Sequence, residues 1–208
     1  PDPDPEFYAD DDALFADIAA AYDEDISDIA ARGARYVTLD DVPFPMLCDP
    51  MIRGQVEKQG KDPERLLDQY IELTNASFKS APSDMTVGLH MCRGNLKGTW
   101  LSEGSYQAIS EKLFNKLNVD VFFLAGGFEP LAAMPDDKRV VLGLVSSKMP
   151  ELEAKDALKA RIEEAAKYVD IDRLAISPQC GFSSAIVGNP VTVDDEIAKL
   201  KLVVEVAE

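Results

Sequence analysis

Segments with helical spacing alternate with short apolar runs along almost the whole chain, and that alternation limits the folds open to it. Leu14, Phe15, Ile18, Ala19, Tyr22, Ile26 and Ile29 recur a helical turn apart and predict a helix from Asp11 to about Ala31. Similar spacing predicts helices from Pro63 to about Lys79, about Ser105 to Leu117, about Lys155 to Tyr168, and Asp194 to Val206. Between these lie Tyr36 to Asp41, Thr86 to Leu89, Val119 to Leu124, Arg139 to Val145, and Leu174 onward to its exit at Gly181. Strands that read as apolar runs and are separated by helices belong to a parallel sheet wrapped by helices. Local signals agree. Asp10, Asp11 and Asp12 offer a cap and suit the helix dipole, Gly33 stops the first helix, and Asp62 and Asp194 stand as caps for later ones. Pro43, Pro45 and Pro50 predict a loop after the first strand.

Polar residues collect where the strands end: Asp40 and Asp41, His90 and Cys92, Ser146 to Lys148, and Cys180. Barrels and doubly wound sheets place their sites at these ends. No Gly-rich phosphate loop follows a strand, which disfavours a nucleotide-binding fold. The sharpest signal is Met85-Thr-Val-Gly-Leu-His-Met-Cys-Arg-Gly-Asn95. Side chains alternate along a strand, so His90 and Cys92 point to one side and make half of a zinc site. Cys180 also ends a strand, and Gly181 after it lets backbone turn tightly. Taken singly, each reads as structural, a hydrogen-bonded His or a Cys packed as a small hydrophobe; together, at two strand ends, they point to zinc. Cys48, in the Pro-rich stretch, reads as packing.

Composition narrows the partners. The 208 residues are enough for a sizeable core, and the formal net charge of -17 argues against nucleic acid, which needs a basic footprint. No apolar run is long enough to span a membrane. Three widely spaced Cys do not make a disulfide framework and fit a reducing, cytoplasmic compartment. Pro1-Asp-Pro-Asp-Pro5 reads as a linker or loop, as though the chain began inside a longer protein.

Gly88-Leu-His-Met-Cys92 and Ser177-Pro-Gln-Cys-Gly181 resemble the two zinc-ligand motifs of the cobalamin-independent methionine synthase family, and Leu39-Asp40-Asp41 resembles its Ile-Asp-Glu strand end. Cys92-Arg-Gly-Asn95, Phe128-Glu-Pro130 and the stretch from Leu142 to Glu153 look closer still to the family's short, single-barrel relatives. The resemblance runs from about Phe15 onward. It implies a (βα)8 TIM barrel of which residues 1–208 supply the C-terminal part, about the last five βα units, with three more strands upstream of Pro1. It further implies a zinc ion on His90, Cys92 and Cys180, a homocysteine thiol as nucleophile, methyltetrahydrofolate as methyl donor and methionine as product. Asp40 would hold the substrate amino group, with Asp41 able to do the same or to serve a turn. Arg93 and Ser146 would line the substrate site. Lys148 stands where the family pattern has a His that assists proton transfer.

Two departures go with it. Only Arg93, Lys97 and Lys148 lie near the proposed mouth, few cations for a polyglutamylated folate. Relatives end the third strand with a Glu that ligates zinc, whereas here Phe122-Phe123-Leu124 runs straight into Ala125-Gly126-Gly127, as if a handful of residues had dropped out. Glu103 or Glu129 would be poor substitutes. A zinc alkyltransferase using another thiol or alkyl donor, and a non-catalytic protein with a structural zinc, remain as alternative readings.

Overall fold

A computed structural model describes residues 4–95, 97–183 and 186–208. The first three residues of the expected linker lie outside them. The elements follow in the order α1 (Asp11–Ala31), β1 (Tyr36–Asp41), α2 (Pro43–Met46), α3 (Pro50–Lys58), α4 (Pro63–Ala76), β2 (Thr86–Met91), α5 (Ser110–Lys116), β3 (Val121–Leu124), β4 (Arg139–Val145), α6 (Lys155–Ala165), β5 (Leu174–Pro178) and α7 (Val193–Ala207). All strands are parallel and stand in the order β1-β2-β3-β4-β5. Crossovers between parallel strands are right-handed, so steps that always move the same way put every helix on one face. That is how a barrel is wound, and the α/β fold expected from the sequence is the one found.

The helix-facing side is sealed. Phe122, Val140, Leu67 and Leu113 are fully buried, and Phe114 meets Phe122 edge-on with ring centroids 4.9 Å apart. Each such side chain contributes about 1.5–3 kcal/mol by leaving water. Ion pairs tie the helices outside this layer: Lys112 reaches both Glu64 and Asp68 of α4, and Lys116 reaches Asp68.

Three local expectations are corrected. The proline-rich segment is not a loop but α2 and α3, because Pro43 and Pro50 stand in their first turns, where a missing N–H costs nothing. The segment from about Ser105 to Leu117 divides into a 3-10 turn at Tyr106–Ala108 and the shorter α5. The cap of α7 is Thr192, not Asp194: its hydroxyl accepts from Asp195 N–H while the Asp195 carboxylate accepts from Thr192 N–H, a reciprocal box.

Candidate metal centre

β2 brings His90 and Cys92 to the carboxyl end of the sheet, and β5 brings Cys180 there from three strands further on. Their ligand atoms all lie within 4.8 Å of one another. Cys92 Sγ and Cys180 Sγ are 3.1 Å apart. The local chain builds this closeness. Cys92 N–H donates to Asp41 O of the neighbouring strand, Tyr106 Oη donates to Met91 O, and Gly94 N–H turns back to donate to Cys92 Sγ at 3.2 Å. Gly94 has φ 94°, and a Cβ there would collide with the Leu101 side chain, so the turn needs a glycine.

The electrostatics favour a thiolate. The Cys180 thiol, then His90 and Gly94 N–H, hold the Cys92 thiol below its ordinary range against the opposing effect of burial. Its neighbour Cys180 is pushed up by the same contact and by burial. Two sulfurs at hydrogen-bond distance share one proton, and a divalent cation would take its place. One nitrogen and two sulfurs within a few ångströms are a donor set that suits zinc. Among the described residues no carboxylate joins this group. Glu103 lies on the wall of the adjoining cavity, and Glu129 has a carboxylate that stands against Gly127.

The cavity has a volume of about 430 Å³, within the range of small-molecule sites. Besides the three ligand residues, Arg93, Trp100, Ser102, Lys148 and Gln179 line it. Lys148 is 4% exposed, with Nζ 3.4 Å from Gln179 Oε1 and 4.0 Å from Cys180 Sγ. The Arg93 guanidinium carbon sits 4.8 Å from the centre of the Tyr106 ring. Asp40 pairs in register with His90, which puts it on the same sheet face, but it is exposed and outside the cavity wall. Asp41 points the other way: its carboxylate accepts from Phe44 N–H at the start of α2, and burial pushes it up to about 7. Ser146 is also off the wall; its hydroxyl accepts from Lys148 N–H and shapes that turn. Cys48 is buried, with its thiol against Phe44 O and pushed up to about 11 by burial, as packing requires.

Sequence reasoning missed the support behind Lys148. Lys199 of α7 is fully buried; it donates to Glu151 O and pairs with Glu153 at 3.1 Å, and the other Glu153 oxygen accepts from Ser146 N–H at 2.7 Å. A signal existed, since Lys199 shares the helix face of Leu202 and Val206, where a core residue is due.

A parallel βα sheet with a His–Cys–Cys cluster and a cavity at its carboxyl end defines an α/β protein with a metal-competent strand-end site. Residues 6–208 match the family model for the catalytic domain of cobalamin-independent synthases, and the chain belongs to that family. It is 42% identical over 208 residues to the uncharacterized protein YxjG of Bacillus subtilis (strain 168) and 38% identical over 207 residues to YxjH of the same strain. Each comparison takes in 96% of this chain and 55% of the relative, so the chain spans about half the length of these curated relatives. Among solved structures, the putative vitamin-B12 independent methionine synthase from Listeria monocytogenes is similar at 36% identity and TM-score 0.70, over 94% of this chain and 54% of that one. The B12-independent methionine synthase from Shewanella sp. W3-18-1, in complex with selenomethionine, shares the fold at TM-score 0.68 and 19% identity, over 92% of this chain and 53% of that one.

Proposed function

We propose that residues 1–208 are the C-terminal part of a methionine-synthase-like catalytic barrel, and that the protein is a cytoplasmic, zinc-dependent methyltransferase that methylates the thiol of homocysteine. The observation that carries this reading is the convergence of His90, Cys92 and Cys180 beside a ligand-sized cavity. These three side chains would hold the zinc. When bound, it supplies Lewis acidity that makes a thiol acidic enough to be a nucleophile near neutral pH. Three protein ligands facing a cavity favour this over a structural zinc, which is closed by four.

The remaining steps belong to the chain's own groups. Asp40, which stands beside His90 on the sheet at the exposed rim, would take the substrate ammonium, whereas the Asp41 carboxylate is engaged at the start of α2. Arg93 and Lys148 set positive charge on the cavity wall, and Trp100 and Phe123 give it aromatic surface. The methyl donor proposed is methyltetrahydrofolate.

Metal analysis and product analysis test the proposal together. Purified protein should carry about one zinc per chain, His90→Ala and Cys180→Ser should lose it, and homocysteine with methyltetrahydrofolate should give methionine by mass spectrometry. Full zinc in both variants sinks the metal assignment. Methylation of other thiols but not homocysteine moves the protein to the alkyltransferases of the same superfamily.

A further inference from the structure

Among the described residues two lysines are buried, Lys148 and Lys199, and they are treated differently. Lys199 Nζ is paired with the Glu153 carboxylate at 3.1 Å and with Glu151 O. Lys148, nearly as buried, has the Gln179 amide oxygen at 3.4 Å, Cys180 Sγ at 4.0 Å and the Trp100 ring centre at 5.9 Å, and no carboxylate of a described residue within ion-pair distance. Its one oxygen acceptor among the described residues is the neutral Gln179 amide. Removing an ammonium from water without an anion costs several kcal/mol. A protein with net charge -17 has carboxylates to spare, yet leaves this cation to face a cavity.

The rest of the wall points the same way. Arg93 is a second cation there, likewise without a carboxylate in ion-pair distance among the described residues, and Glu103 is the one acid on the described wall. Ser102, 3% exposed, has a buried hydroxyl with no hydrogen-bond partner among the described residues. A buried hydroxyl left unmatched is costly unless a ligand completes it.

We propose that Lys148 is the specificity residue that binds the substrate's own carboxylate, with Arg93 and Ser102 as further donors, while the substrate sulfur reaches the His90–Cys92–Cys180 cluster. This gives Lys148 a binding role in place of proton transfer, and it rests on the thiol reading above. The Lys199–Glu153–Ser146 chain is then the positioning network that holds the turn carrying Lys148.

The test compares two thiols of nearly the same shape, the anionic 3-mercaptopropionate and the neutral 3-mercaptopropionamide, by calorimetric titration of the metal-loaded protein. Wild type should bind the carboxylate about tenfold more tightly than the amide, the size of one charge-assisted hydrogen-bond set. Lys148→Met should bring the ratio to about one, and Lys148→Arg should keep most of the preference, which separates lost charge from lost fold. A ratio near one in wild type, an unchanged ratio in Lys148→Met, or no binding of either thiol overturns the proposal. The visible absorption of the cobalt-substituted protein reads the sulfur separately. A spectrum that neither thiol alters refutes sulfur binding at the metal, while the carboxylate-to-amide ratio still decides the role of Lys148.

Discussion

On the helix-facing side of the sheet Leu89, Met91, Phe122, Val140 and Leu142 are at most 1% exposed, whereas on the other side Tyr36 is 52% exposed and Thr38, Asp40 and Ala175 are open as well. The register explains how one strand serves both sides. Thr38 stands beside Gly88, Asp40 beside His90, and His90 beside Phe123, so residues of one parity line one face and those of the other parity pack under the helices. Stability sits on the first side and chemistry on the second. Substitutions should therefore separate into those that unfold the protein and those that disarm it.

The largest effect is expected in the sealed layer. Phe122→Ala should cost about 3–5 kcal/mol in denaturant unfolding, because the ring leaves a cavity that its neighbours cannot fill. Thr38→Val on the open face should change stability by less than about 0.5 kcal/mol. Equal costs would break the division. Next comes Cys180→Ser, expected to weaken zinc roughly 10²-fold, one ligand's share of a typical binding energy, as read by competition with a chromophoric chelator. Its unfolding midpoint without metal should stay close to wild type. Lys199→Met sharpens the comparison because Lys199 links the two sides. It should cost about 1–3 kcal/mol by stranding Glu153, and it should also weaken the carboxylate preference through the turn at Ser146. A stability loss with the preference intact would make the network structural only.

How much of this was legible depends on the range of the contact that decides each residue. The strands could be read because apolar runs between helical segments announce themselves locally, and His90, Cys92 and Cys180 because they end such runs. α2 and α3 were missed because proline in a first turn and proline in a loop look alike until the chain around them is placed. Trp100, Ser102 and Gln179 come to one cavity only through the path of loops after β2 and β5. Lys199 and Glu153 are 46 residues apart, and nothing in either segment names the other. Asp40 and Asp41 are adjacent in sequence and diverge in space, a parity that the strand assignment contained but that the resemblance alone left open.

The smallest expected effect concerns acid, and it belongs to the scaffold. Asp23 of α1 is 8% exposed and accepts from both Ser80 N–H and Ser80 Oγ at 2.7 Å, tying α1 to the turn that follows α4. Burial opposes its ionisation, but those two hydrogen bonds outweigh it and hold the carboxyl below its usual range. Asp49 is held low in the same direction, first by Glu103 N–H, and Asp68 by Lys116 and Lys112. A carboxyl lowered by folding adds stability that is fully present above its unfolded value, about 3.9 for Asp, and is lost as pH falls through the lower folded value. Asp23→Asn should therefore be less stable than wild type by about 1 kcal/mol at pH 6, the worth of an ordinary hydrogen bond. The gap should stay constant down to about pH 4 and close below it, as wild type loses the charge that the variant never had. Parallel melting curves between pH 6 and pH 3 measure it. A gap that persists unchanged at pH 3 would mean that Asp23 works through shape alone, and a gap that widens as pH falls from 6 to 4 would mean that folding raises its pKa rather than lowering it.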